Sequence, residues 1–348
     1  MCIVPTGNYS NYAAARVTIS LNPKQYVVHW PPEVTPRELH LGLSSTVIKI
    51  VTSSLTDNSR HRKMYSAETN SSANGAASGS FVSKIKSLKG PAIGTVLTIP
   101  SITIAQVAGQ SNCDFVMIDM EHAPFTIDVV TQMVHAFVSS SKGSRLPIVR
   151  IPSHGVEWIK WAMDSGAAGI IIPMVNNAEE MKQILDRALY PPIGRRSFGP
   201  LYAPFGHPEG AQSGMGGYFE RAKRGDIAIL PIIESREGLE TAEEIMALDG
   251  VSGVFIGPAD LRLSLGLSAA TDGPEVEFLD ALRKICDIGK KLGKVVGSMG
   301  MGETIAHKRA AEGMDFLLST FDYGALVGGF ASELAAARKG VESAVAKL

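Results

Sequence analysis

The chain has 348 residues, 45% of them hydrophobic, and 33 Lys and Arg against 34 Asp and Glu leave a formal charge of −1. That length builds one large domain or two ordinary ones, and the even charge offers no basic face to a nucleic acid backbone or an acidic membrane. Three cysteines, Cys2, Cys113 and Cys286, with no CxxC or Cys/His spacing, form neither a disulfide framework nor a zinc site, which points to a reducing compartment. No apolar run nears the ~20 residues that span a bilayer, and residues 1–30 lack a basic start followed by an apolar core. The expectation is a cytoplasmic enzyme with no nucleic acid and no membrane as partner.

In chain order, residues 1–63 show scattered prolines, short β-like runs such as STVIKIV (45–51) and no sustained periodicity. Residues 69–80, TNSSANGAASGS, hold no side chain larger than Asn and bury too little area to offset their ordering entropy. Residues 1–90 are therefore read as an N-terminal extension and flexible linker, disordered for the most part, and 91–348 as the functional domain. Met64, just ahead of the linker, stands as an alternative start.

From residue 91 short apolar, β-rich runs alternate with helical patterns. The expected strands are 93–99, 115–119, 147–151, 169–175, 227–234, 253–257, 294–299 and 316–320. Asn177 is placed to cap a helix with Met181, Ile184, Leu185 and Ala188 on one face, and Glu180 stands three residues on. Phe278, Leu282, Ile285 and Leu292 form a second stripe, stopped by Gly293. Eight β–α units with strands apolar along their whole length predict an α/β fold, a parallel (β/α)8 TIM barrel. An open doubly wound sheet is the alternative; no GxGxxG follows the first strand to support it. Residues 191–227 break the rhythm as a long connection, and GMGG (214–217) inside it reads as loop flexibility before it reads as a phosphate cradle.

Barrel chemistry sits where strands end, and the ends here are polar. FVMID ends in Asp119 with Glu121 and His122 just beyond, PIVRI carries Arg150, the fifth strand ends in Glu234 and the sixth runs into GPAD with Asp260. Glu234 and Asp260 are one β–α–β unit apart, so neighbouring strands bring their ends to ~5 Å. Two carboxylates so close need a shared cation or a proton; the other reading is that each caps the helix that follows it. His122 is a candidate general base or a histidine satisfied in a polar loop. Arg150, in an otherwise apolar strand, must meet an anion, either a substrate oxygen or Glu121.

IDMEHAPF, VRIP, IIIPMV, YPPIGRRS, IIESREGL and GVFIGPADLRLSLG resemble, in order and spacing, the HpcH/HpaI aldolases, over about residues 90–335. The resemblance implies a class II pyruvate aldolase that cleaves 4-hydroxy-2-oxo acids to pyruvate and an aldehyde with a divalent cation, Mg2+ first, Mn2+ or Co2+ in its place. It implies that Glu234 and Asp260 hold the metal, that His122 is the base, that Arg150 steadies the enolate oxygen and that Asp164 makes the histidine more basic. Gly257, Ala259 and Asp260 would bind substrate, the last two through backbone amides. It further implies a homo-oligomer, a hexamer with its last helix swapped between neighbours. Where the family often carries a substrate-touching Gln, this chain has Ile232, which leaves substrate choice open. Two alternatives stand beside the aldolase: an acyl-CoA lyase like the citrate lyase β subunit, and a non-catalytic metabolite-binding barrel. A Schiff-base aldolase would need a lysine at a strand end, and Lys294 starts its strand.

Overall fold

Phe115, Val116, Met117 and Ile118 are each 2% exposed or less, so this strand has no solvent face; consecutive burial of that kind belongs to parallel sheets covered on both sides. The computed structural model describes residues 79–346 and, upstream, short strands only. The chain divides into units 1–75 and 76–348. In the first, Thr18–Asn22 pairs antiparallel with Gln25–His29, and Gly42–Leu43 with Thr46–Val47. Met64 and most of the expected linker, 69–78, lie outside the described residues. Among the described residues no helix is long and apolar enough to cross a membrane.

The second unit is a closed barrel of eight parallel strands. They are β1 (Ala92–Leu97), β2 (Phe115–Asp119), β3 (Leu146–Arg150), β4 (Gly169–Ile172), β5 (Ala228–Ile233), β6 (Gly253–Ile256), β7 (Val295–Met299) and β8 (Phe316–Phe321), and β8 pairs with β1 to close the ring. All eight expected strands are present, with ends that agree to within three residues. Around them run α1 (Phe81–Lys86), α2 (Ile102–Gln110), α3 (Ile127–Ser140), α4 (Val156–Asp164), α5 (Ala178–Ala188), α6 (Gly210–Lys223), α7 (Arg236–Glu240), α8 (Ala242–Met246), α9 (Pro258–Ser264), α10 (Val276–Leu292), α11 (Gly302–Ala311) and α12 (Asp322–Val345). Alternate strand residues sort into two cores, one inside the barrel with Val96, Met117, Ile148, Leu230, Ile232 and Phe255, the other between sheet and helices. The Asn177 side chain accepts the Glu180 amide at 3.0 Å while Glu180 accepts that of Asn176 at 2.9 Å, and Gly293 ends α10 at φ 66.

Two segments differ from the sequence reading. Residues 81–86, assigned there to the extension, form α1, whose Phe81 is 1% exposed and meets Phe115 and Phe316 edge to face at 5.4 and 5.7 Å. Phe81 thus fills the floor of the barrel, at the strands' amino ends. Residues 191–227 contain α6, which turns sharply at Gly214; the glycines of GMGG hide its helical pattern from the sequence.

Two matching aspartates stitch the same floor. The Asp114 carboxylate accepts the Ile93 amide at 2.8 Å while its own amide donates to the Ile93 carbonyl, and Asp315 repeats both bonds with Val296. At the other end Asp322 accepts the amides of Thr98 and Ile99 and the Thr98 hydroxyl at 2.7–2.9 Å, tying the end of β1 to the start of α12. Phe81→Ala should cost about 3 kcal/mol of stability, read as a lower denaturant midpoint, because it opens a cavity beside Phe115 and Phe316.

Candidate active site

Asp119 and Arg150 end β2 and β3 as register partners, and the inward parity of both strands turns their side chains into the barrel mouth. Asp119 is 1% exposed and grips the guanidinium in a fork, with Arg150 Nε and Nη2 donating at 2.8 and 2.6 Å. Its Oδ1 also accepts the amides of Glu121 and His122, at 3.1 and 3.4 Å, so one buried carboxylate fixes both the arginine and the turn after β2. The third nitrogen of Arg150, Nη1, lies 3.0 Å from Glu121, and the same Glu121 oxygen lies 3.6 Å from Nε2 of His122. Burial opposes the Arg150 charge, but Asp119, Glu121 and Glu234 more than offset it and raise its affinity for its proton. For Glu121 burial prevails and pushes its carboxyl up, against Arg150 and His122 and with help from Asp119 and Asp260.

Glu234 follows β5 and is 5% exposed. One oxygen accepts the Met174 amide at 2.7 Å; Met174 takes a left-handed φ of 53 after β4, which aims that amide inward. Burial pushes the Glu234 carboxyl up to about 7; the Glu121 and Asp260 charges add to the rise, while the Met174 amide and Arg150 oppose it. The second oxygen rests in a niche that exists because residue 257 is glycine. A Cβ there would stand 2.3 Å from Oε2 of Glu234 and 3.0 Å from Cγ2 of Ile232. Asp260 lies in the first turn of α9, exposed, and the amides of Ala259 and Asp260 have no carbonyl four residues back to donate to.

The structure therefore brings His122, Arg150, Glu234, Gly257, Ala259 and Asp260 to one end of the barrel. It does not bring Asp164 there. That residue ends α4, a helix running from the mouth toward the floor, and its carboxylate meets Nη2 of the buried Arg196 at 2.5 Å. Arg196 also bonds the hydroxyl of Tyr218, which donates to the Met163 carbonyl. The expected alternative for Arg150, pairing with Glu121, is present, but Asp119 holds it more firmly. The strand-end rule picks out Asp119, the last residue of β2; the Met174 amide was beyond it, because no residue type announces it. Lys294 precedes β7 at the floor and donates to the Val251 carbonyl at 2.6 Å.

The mouth suits a hard divalent cation. A buried, desolvated carboxylate beside two further acids has every electrostatic reason to take one. Among the described residues no group of three or more His, Cys, Asp or Glu side chains could cage a metal. Such an ion would have Glu234 and Asp260 from the protein and take its other ligands from water or substrate.

Comparison with known proteins gives the family. Residues 97–327 match the model of the HpcH/HpaI aldolase/citrate lyase family. A hydroxypyruvate/pyruvate aldolase of Rhizorhabdus wittichii is 33% identical over 232 residues, 67% of this chain and 88% of the relative. A 2-keto-3-deoxy-L-rhamnonate aldolase of Klebsiella pneumoniae is 32% identical over 227 residues, 65% of this chain and 80% of the relative. The crystal structure of a family protein from Burkholderia cenocepacia superposes with a TM-score of 0.65 at 25% identity, covering 74% of this chain and 98% of that one. From residue 97 to 327, in sequence and in architecture, this chain belongs to the HpcH/HpaI aldolase/citrate lyase family.

Proposed function

We propose that the barrel mouth cleaves a 4-hydroxy-2-oxo acid reversibly into pyruvate and an aldehyde, with a divalent cation held by Glu234 and Asp260. One observation carries the reading: a carboxylate 5% exposed, in a niche only glycine leaves open, with two more acids bearing on it and one arginine opposing them. Mg2+ fits such an oxygen set best, and Mn2+ or Co2+ can replace it. When bound, the cation supplies the positive charge that makes an enolate of the 2-oxo acid accessible.

The chain's own groups do the rest. His122, with a side chain 64% exposed, is free to meet substrate and takes the proton of the C4 hydroxyl. The C3–C4 bond breaks, its electron pair moves into the enolate, and an aldehyde leaves. The same proton then returns to C3 to complete the methyl group of pyruvate. Arg150, its orientation fixed by Asp119, steadies the enolate oxygen, an effect worth ~3–4 kcal/mol for a well-placed donor. The free amides of Ala259 and Asp260 receive the substrate carboxylate, and Gly257, with no side chain, leaves room for it beside Glu234.

Asp164 can raise the basicity of a histidine only across a subunit boundary, because its own His122 is at the other end of the barrel. The last helix supports an assembly. α12 is exposed along nearly its whole length, and Tyr323, Val327, Phe330, Leu334, Val341 and Val345, each 50–66% exposed, form one apolar stripe. We assign that stripe to a second copy of the chain, in the hexamer expected from the family likeness.

Four outcomes test these assignments. Chelator should abolish pyruvate release from a 4-hydroxy-2-oxo acid, and Glu234→Ala should lower kcat about a hundredfold or more; chelator-resistant activity removes the metal. Gly257→Ala should weaken Mg2+ binding in calorimetry, because it displaces the Glu234 carboxylate. Glu234, pushed up to about 7 from an ordinary 4.5, binds a proton more tightly folded than unfolded. Metal-free protein should therefore lose stability as pH rises from 4.5 through 7, Glu234→Gln should lack that loss, and Mg2+ should reverse it. Phe330→Asp with Leu334→Asp should reduce the sedimenting mass while circular dichroism stays that of a folded barrel.

A further inference from the structure

Of the two carboxylates assigned to the cation, Asp260 has the less secure footing. Glu234 is buried and one of its oxygens is fixed by the Met174 amide, whereas Asp260 is exposed on α9, a helix of seven residues. A helix so short is marginal by itself, so the direction of its side chains depends on what it packs against. Leu261 and Leu265 lie beneath it at 0% and 6% exposure, but apolar burial has no directional preference. The directional contact comes from an arginine between them.

Arg262 is 2% exposed, and all three of its guanidinium nitrogens are engaged. Nε donates to the Ser268 carbonyl at 3.0 Å, while Nη1 and Nη2 form a fork on the Glu275 carboxylate at 2.5 and 2.8 Å. Its Cζ stands 5.0 Å from the centroid of the Phe278 ring. The fork exists because residue 273 is glycine: a Cβ there would stand 1.9 Å from Nη1 of Arg262 and 2.2 Å from Oε2 of Glu275. Asp260 precedes Arg262 by two residues, about 200° around a helix, so turning the guanidinium inward turns the aspartate outward.

The ground to which α9 is anchored is itself held. Arg309 of α11, 0% exposed, bonds the Thr271 carbonyl and the Asp272 carboxylate, each at 3.0 Å. The end of α9 is tied to the segment that carries Glu234, because the Arg236 amide donates to the Ser264 hydroxyl at 2.8 Å. Burying a guanidinium adds little net stability over an apolar residue of similar volume, so holding the fold together does not account for Arg262. What a fork adds is direction.

We propose, resting on the cation reading above, that Arg262 is a positioning residue of the mouth: its fork on Glu275 fixes the roll of α9 and with it the place of the Asp260 carboxylate. The pair thereby sets cation affinity without touching cation or substrate.

The test reads Mg2+ affinity of the full chain by calorimetry, without substrate, in Glu275→Gln, Gly273→Ala and Arg262→Lys, which break the fork in three different ways. Arg309→Lys, at a residue bonded to Thr271, Asp272 and Glu312, serves as control. Circular dichroism and a denaturant midpoint accompany every variant. The folded fork variants should bind Mg2+ about tenfold or more weakly. They should also show a raised KM for the 2-oxo acid, with kcat at saturating Mg2+ within about threefold of the unaltered chain. Arg309→Lys should keep the original Mg2+ affinity even where its midpoint falls as far. Mg2+ affinity within about twofold of the original in folded Glu275→Gln and Gly273→Ala, or an equal loss in Arg309→Lys, overturns the positioning role and leaves the cation reading standing. An unaltered chain that binds no Mg2+ removes both.

Discussion

Acids crowded at one end of a closed sheet repel one another, and the whole mouth is organised around containing that repulsion. Asp119 is tolerated at 1% exposure because it forms a two-pronged bond to Arg150 and accepts two backbone amides besides. Glu121 shares what remains of the guanidinium. Glu234 has only a backbone amide and a distant arginine in its favour, so it is the group left with unmet charge. In energetic terms the structure is strained toward a ligand: a cation relieves it, and so does a proton. The raised proton affinity of Glu234 and the cation proposed above therefore concern one and the same carboxylate.

The two ends of the barrel divide the labour. The floor is aromatic and apolar, with Phe81, Phe115 and Phe316 in mutual contact and Asp114 and Asp315 stitching neighbouring strands. It secures the ring with bonds that need no ligand. The mouth is built from residues whose isolated presence would cost stability, and the secure floor lets them stay.

Much of this was legible in the sequence. The strands could be counted because a strand buried on both faces has no polar residue to interrupt it, and the strand-end rule then picked out Asp119, Glu121, His122, Arg150, Glu234 and Asp260. The cap at Asn177 and the stop at Gly293 were readable because side-chain chemistry and left-handed φ dictate them locally. What stayed hidden depends on the third dimension. The Phe81 plug comes from a segment next to a polar tract, and its burial depends on a barrel that closes far downstream. The amide of Met174 serves Glu234 by backbone direction alone. Asp164 looked like a partner for a mouth histidine, yet the direction of α4 carries it toward the floor, and only the built helix shows that its near partner is Arg196.

Asp322 joins two jobs that are usually separate. Its carboxylate fastens the seam where the first and last strands of the ring meet, and its backbone begins the helix that reaches outward with an apolar face. A force on that terminal helix is thus delivered to the seam at the catalytic rim. A copy of the chain seated on that helix, as proposed above, would therefore bear on the barrel's closing seam through a single carboxylate.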